Sequence, residues 1–103
     1  MTRTQQTHEL VKAEILREKA AALGRAGERL EAALEAVAAI ARRVDGSADA
    51  AERTRLLEDY EVARARAREA RLALLIQREA LGVRHHRAVD EHFPEPPRRQ
   101  HRA

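Results

Sequence analysis

Large apolar residues recur at intervals of seven in the first half of the chain. The members of this repeat are Leu16, Leu23, Leu30, Val37 and Val44. A strict seven-residue repeat keeps one side of an α-helix turned toward a partner helix over several turns, as in a coiled coil. The intervening residues are mainly Ala, Leu, Glu and Arg, which favour helix, and no proline interrupts them. The repeat predicts one helix at about 7–44 after a disordered N-terminus at 1–6. A kink at Gly24 and Gly27 is the alternative to a continuous helix.

A short polar turn, predicted at 45–48, separates this helix from a second one. Gly46 is a typical helix-ending residue, and either Ser47 or Asp49 is a suitable N-cap for the second helix. That helix is predicted at about 49–81, where a heptad pattern of four and three spacings ends at Gly82. The residues of that pattern are Leu56, Tyr60, Ala63, Ala67, Ala70, Leu74, Gln77 and Leu81.

The short connection defines the predicted fold class. Consecutive helices joined by a few residues lie side by side and antiparallel, so the chain is expected to be all-α, a long antiparallel helical hairpin resembling a coiled coil. If the hairpin folds about Gly46, Ala63 lies near Leu30 and Ala67 lies near Ala26.

The hairpin carries more apolar surface than two helices bury. Leu72, Ile76 and Val83 fall on a second face of the second helix, as Leu10 and Ile15 do on the first. Surplus apolar surface of this kind indicates a partner, and a second copy forming a four-helix bundle with twofold symmetry is the simplest one. A different protein is an alternative partner. In another alternative, the C-terminal residues fold back and cover Leu72 and Ile76.

The last part of the chain, residues 83–103, has a different composition and is predicted to be an extended arm rich in His, Pro and Arg. A short helix at 85–92 is compatible with its first half, whereas the prolines after Phe93 favour an extended polyproline conformation. We expect this arm to dock on a larger protein assembly, through Val89 and Phe93 as anchors. The other arm residues assigned to partner binding are Pro94, Pro96, Pro97, Arg98 and Arg99.

Four arginines of the second helix share one side of it. Arg64, Arg68, Arg71 and Arg78 fall within an arc of about 100° at 3.6 residues per turn. Guanidinium groups match phosphate oxygens, so nucleic-acid binding through these arginines is an alternative function. The same pattern is typical of a salt-bridged helix surface. The small net charge of +3 and the presence of only two aromatic residues favour that structural interpretation.

Histidines concentrate in the arm and suggest a second alternative, a metal-binding helical protein. His85, His86, Asp90 and His92 supply imidazole and carboxylate ligands that suit zinc, nickel or iron. Their spacing matches neither HExxH nor a di-iron Glu-x-x-His pattern, so no metal or other cofactor is expected.

Other classes of function have little support in the sequence. The chain has no cysteine, no glycine-rich phosphate loop and no serine or threonine near a histidine in an arrangement typical of catalysis. Its longest strongly apolar run, 72–76, is too short for a membrane span, and the N-terminus lacks a signal-like stretch. We therefore expect a non-enzymatic cytoplasmic protein that acts as a scaffold or accessory subunit.

Overall fold

The computed structural model describes residues 2–99 as three helices, α1 (Arg3–Gly46), α2 (Ala50–Ala80) and α3 (Arg87–His92). Met1, the first residue of the N-terminus predicted to be disordered, and residues 100–103, the last four of the predicted arm, lie outside the described residues. The described part contains no strand, so the all-α prediction is confirmed. With extents of 72 × 21 × 15 Å, the molecule is a rod built on two long helices.

A capping box begins α1 earlier than the heptad pattern indicates. The Gln5 amide donates to the Thr2 hydroxyl at 3.2 Å, and the Gln5 side-chain carbonyl accepts from the Thr2 amide at 2.7 Å. These two bonds satisfy amide groups that a helix N-terminus otherwise leaves without partners. Residues 3–6, expected to be disordered, are therefore helical, and the helix continues through Gly24 and Gly27 without a break.

The turn lies slightly later in the chain than the predicted residues 45–48. Asp49, and not Ser47, is the N-cap of α2, since its carboxylate accepts from the Ala51 amide at 3.3 Å. Because α1 extends through Gly46, the turn comprises residues 47–49. Ala63 and Ala67, expected near Leu30 and Ala26, consequently lie in a different cluster from those two residues, together with Val37.

A glycine ends α2 as the sequence predicts. Gly82 has a φ of 85°, and its amide donates to the Glu79 carbonyl at 2.9 Å, while the Val83 amide donates to the Arg78 carbonyl at 3.1 Å. This pair of bonds is a Schellman motif, which satisfies carbonyls at the helix end and turns the chain away from the helix axis. The reversal directs residues 83–99 back along the hairpin.

The core consists of three small apolar clusters between the helices. Near the turn, Val44 packs with Leu56 and Leu57, and the middle cluster contains Val37 and Tyr60. The third cluster is different because Val89 of α3 joins it. The buried members of that cluster are Ala26, Leu30, Leu74 and Val89.

The two long helices differ in length, so α1 extends past the end of α2. The Lys19 ammonium group donates to the carbonyl of Ala80, the last residue of α2, at 3.4 Å. Residues 3–18, here called the overhang, therefore project as a single helix about 24 Å long at 1.5 Å per residue. Among the described residues, no helix has the length and apolar character needed to cross a membrane.

Candidate interaction surface

The C-terminal segment, residues 87–99, lies along the hairpin and runs antiparallel to α2. Its contacts follow α2 in reverse order: Asp90 pairs with Arg71, Glu95 lies 3.3 Å from Arg68, and Pro97 bonds to Tyr60. The segment starts beside the last turn of α2 and reaches Asp45 at the opposite end of the hairpin. It therefore occupies the groove between α1 and α2 as a third layer.

Two apolar side chains anchor the segment in this groove. Val89 is 4% exposed and packs with Leu30 and Leu74, one residue from each long helix. Phe93 is half-buried against the same cluster, and the His92 ring contacts its edge at a centroid distance of 4.7 Å. Both residues were predicted to contact a partner protein. In the structure they contact their own hairpin.

The four arginines assigned to phosphate contact form a row beside the segment, here called the arginine row. Arg64 is largely enclosed, with an 11% exposed side chain, and its Nε donates to the Pro96 carbonyl at 3.0 Å. Its two terminal nitrogens lie 3.7 Å from Glu61 and Glu95. A planar fork that reaches a carbonyl and two carboxylates together is a role that lysine does not reproduce.

The remaining members of the arginine row also contact the C-terminal part of the chain. Arg68 pairs with Glu95 and Arg71 with Asp90. Arg78 donates to the His85 carbonyl at 3.0 Å and to His86 Nδ1 at 3.4 Å. All four side chains predicted to grip phosphate thus make contacts within the chain.

Tyr60 and Arg99 hold the end of the segment near the turn. The Tyr60 hydroxyl donates to the Pro97 carbonyl at 2.5 Å, and the Arg99 guanidinium lies over the Tyr60 ring, 5.4 Å from its centroid. Arg99 also pairs with Asp45 at 2.6 Å. Its hydrogen bond to Asp45 raises the pKa of Arg99 above the ordinary value, against the opposing effect of desolvation. The guanidinium therefore stays charged across the physiological pH range.

The histidines predicted as alternative metal ligands are dispersed. His86 Nε2 lies 3.0 Å from a Glu79 carboxylate oxygen, and the His86 Nδ1 atom accepts from Arg78. Asp90 pairs with Arg71, and His92 contacts Phe93. Within residues 2–99 no group of three or more histidine, aspartate or glutamate side chains is placed to hold a metal ion.

A second set of side chains lies in the half of the rod opposite the turn, where large apolar residues are exposed on both long helices. Leu72 and Ile76 of α2 are 58% and 55% exposed, because the C-terminal segment packs on a different side of α2. The alternative in which the segment covers these two residues is therefore wrong. The exposed apolar residues of this open-end cluster are Leu10, Val11, Ile15, Leu16, Leu72, Ile76 and Val83.

Sequence reasoning missed two residues that hold the segment, Tyr60 and Asp45. A signal was available for Tyr60, since a buried tyrosine hydroxyl requires a hydrogen-bond partner and the antiparallel helix offers few. Asp45 was assigned only to the turn, and nothing local to it indicates a contact with Arg99, 54 residues later.

Comparison of the chain with protein-family models, with curated proteins and with solved structures found no match. Two surfaces of the molecule bear on function, the filled groove and the open-end cluster.

Proposed function

We propose that the protein is a non-enzymatic helical scaffold or accessory subunit that self-associates through its open-end cluster and contacts a larger protein assembly. One observation supports this proposal above the others: seven large apolar side chains are exposed in the half of the rod opposite the turn, from Leu10 in the overhang to Leu72 near the middle of the rod. Apolar surface on a narrow hairpin is costly in water and is typical of protein contact sites. Isolated two-helix seams also offer little buried area to offset backbone ordering.

The position of the open-end cluster bears on the form of the assembly. The side-by-side four-helix bundle predicted from the sequence needs apolar surface along the length of the hairpin. Apart from Val62, the exposed large apolar residues instead lie in the half of the rod opposite the turn. We therefore favour association of hairpins through their open ends, with the four-helix bundle as the competing arrangement.

The C-terminal arm has a different place in this proposal from the one expected. Val89 and Phe93 are engaged in the groove, so docking of the arm on another protein would first require its release. Nucleic-acid binding by the arginine row would require the same release, because Arg64 and Arg71 already contact the segment. The open-end cluster needs no such rearrangement.

Light scattering on charge-substituted variants tests the proposal. Ile15→Glu combined with Leu16→Glu places two carboxylates in the overhang part of the open-end cluster, while Val62→Glu places one at an exposed apolar site away from it. We expect the wild-type chain and Val62→Glu to have the mass of two or more copies. The double variant should have the mass of one copy with an unchanged helical circular dichroism spectrum. A wild-type protein that stays monomeric at high concentration contradicts self-association.

A further inference from the structure

The connection between α2 and the C-terminal segment is a short reversal made mainly by backbone. Residues 81–86 turn the chain through the Schellman motif at Gly82, and the side-chain bonds that hold the reversal come from Arg78 and from the His86–Glu79 pair. Val83, in the middle of this connection, is exposed and lies in the open-end cluster. If the connection extends instead of reversing, the segment continues forward in the direction of α2.

The dimensions of the two ends match this extended form. The overhang carries α1 past the end of α2 by about 24 Å at 1.5 Å per residue. Residues 81–86 span about 20 Å when extended at roughly 3.3–3.6 Å per residue. When two hairpins meet at their open ends with their overhangs side by side, the ends of their α2 helices are about 24 Å apart. An extended connection of about 20 Å covers most of this distance.

We propose that two copies exchange their C-terminal segments, so that the segment of each copy occupies the groove of the other in a head-to-head dimer. This inference rests on the self-association proposed above and names its partner and its mode. The groove already holds this segment: Val89 of the segment is buried in it, and Arg64 and Tyr60 of the groove bond to the segment's backbone. A second copy has an identical groove and an identical segment. A closed pair of this kind has twofold symmetry, with each copy contributing the same surface.

The balance between the closed chain and the exchanged dimer depends on contacts outside the groove. Groove contacts are the same in both forms. The closed chain is favoured by the bonds that hold the reversal and by the high effective concentration that the short connection gives. The dimer gains the burial of the overhang residues Leu10, Ile15 and Leu16, which are 70%, 45% and 58% exposed in the single chain. Exchange therefore increases with protein concentration.

Cross-linking between two different single-cysteine variants tests the exchange. The chain has no cysteine of its own, and Ala48 and Arg98 are exposed residues next to the Asp45–Arg99 pair. Ala48→Cys and Arg98→Cys are mixed in equal amounts, unfolded and refolded together, and treated with a flexible bis-maleimide. Exchange predicts a covalent dimer. If copies pair at random, about half of the dimers contain one copy of each variant, and only these can be cross-linked. Each variant treated alone, and the mixture treated in denaturant, give the background.

The outcomes separate this inference from the proposed function. A covalent dimer that exceeds the background only in the refolded mixture supports exchange. If light scattering gives the mass of two copies while the cross-link stays at background, exchange is overturned and self-association stands. The mass of one copy together with no cross-link overturns both.

An unmodified chain provides the second measurement. A mixture of carbon-13-labelled and unlabelled copies is refolded together and examined by isotope-filtered NMR. Exchange predicts nuclear Overhauser effects between copies from the Val89 methyl groups to Leu30 and Leu74, which pack together in one cluster. If these effects arise only within a copy, the segment closes on its own hairpin and the inference is wrong.

Discussion

The Tyr60 hydroxyl donates a hydrogen bond to the carbonyl of Pro97, 37 residues later, at 2.5 Å. Proline lacks an amide hydrogen but keeps its carbonyl as an acceptor, so an extended proline-containing segment offers oxygens for side-chain donors. Arg64 uses the adjacent Pro96 carbonyl in the same way. These bonds contact the backbone, and the apolar anchors Val89 and Phe93 fix where along the groove the segment lies.

The packing of Val89 makes the segment part of the hydrophobic core. Val89→Ala removes two methyl groups from a 4% exposed site, which should lower the free energy of unfolding by about 2 kcal/mol. Val62→Ala is the matched control, since Val62 is also helical but 53% exposed, and it should change stability by less than about 0.5 kcal/mol. Urea unfolding followed by circular dichroism measures both. Equal effects of the two variants would show that Val89 is not buried in the folded protein.

Arg64 should contribute more to stability than a nearby arginine of the same helix. Arg64→Ala removes the donor to the Pro96 carbonyl and the contacts with Glu61 and Glu95, with an expected loss of about 1–2 kcal/mol. Arg66→Ala, at an exposed position two residues away, should have little effect. The same unfolding experiment compares them, and a loss from Arg66→Ala as large as that from Arg64→Ala would argue against the groove contacts.

Replacing glycine by alanine should change stability in opposite directions at two positions where a Cβ atom meets no neighbour within 4 Å. Gly82→Ala forces a side chain into a backbone with a φ of 85° and should destabilise the protein by about 1 kcal/mol. Gly24→Ala lies inside α1 and should stabilise by about 0.5–1 kcal/mol, because alanine loses less conformational entropy in a helix. Thermal unfolding separates the two shifts. Stabilisation by Gly82→Ala would mean that the chain does not reverse through this conformation.

Amide hydrogen exchange should divide α1 into two parts. The overhang residues are exposed apart from the half-buried Ala13, and helices of this length are marginal in water. The overhang amides should therefore exchange much faster than those around Val37. At high protein concentration, self-association through the open-end cluster should slow exchange in the overhang and leave the rate near Val37 unchanged. Exchange that is independent of concentration in both regions would contradict that association.

Much of the hairpin could be predicted because its determinants are local and periodic. The repeat from Leu16 to Val44 defines one face of α1, and Gly82 ends α2 through a backbone conformation that favours glycine. The start of α1 was misplaced because the capping box of Thr2 and Gln5 comes before any apolar repeat. A displaced turn changed the contact predicted for Ala63, since each residue added to α1 shifts its pairing with α2.

The filled groove was harder to predict because its partners are distant in sequence. The spacing of the arginine row is the same whether it binds phosphate, water or carboxylate. Only the return of the chain along α2 places Asp90 beside Arg71 and Glu95 beside Arg68. Val89 and Phe93 were identified as anchors from their apolar character, but that character does not distinguish a groove on the same chain from one on another protein.

The C-terminal segment fills the groove and ends near the turn. A distance between spin labels at Ala48→Cys and Arg98→Cys, measured by double electron–electron resonance, tests it most directly. The contact of Asp45 with Arg99 predicts a narrow, short distance, whether the segment comes from the same copy or from a second one. A segment that leaves the groove at the end of α2 would instead give a broad distribution near or beyond about 47 Å, the length of α2 at 1.5 Å per residue. That broad distribution would contradict the claim.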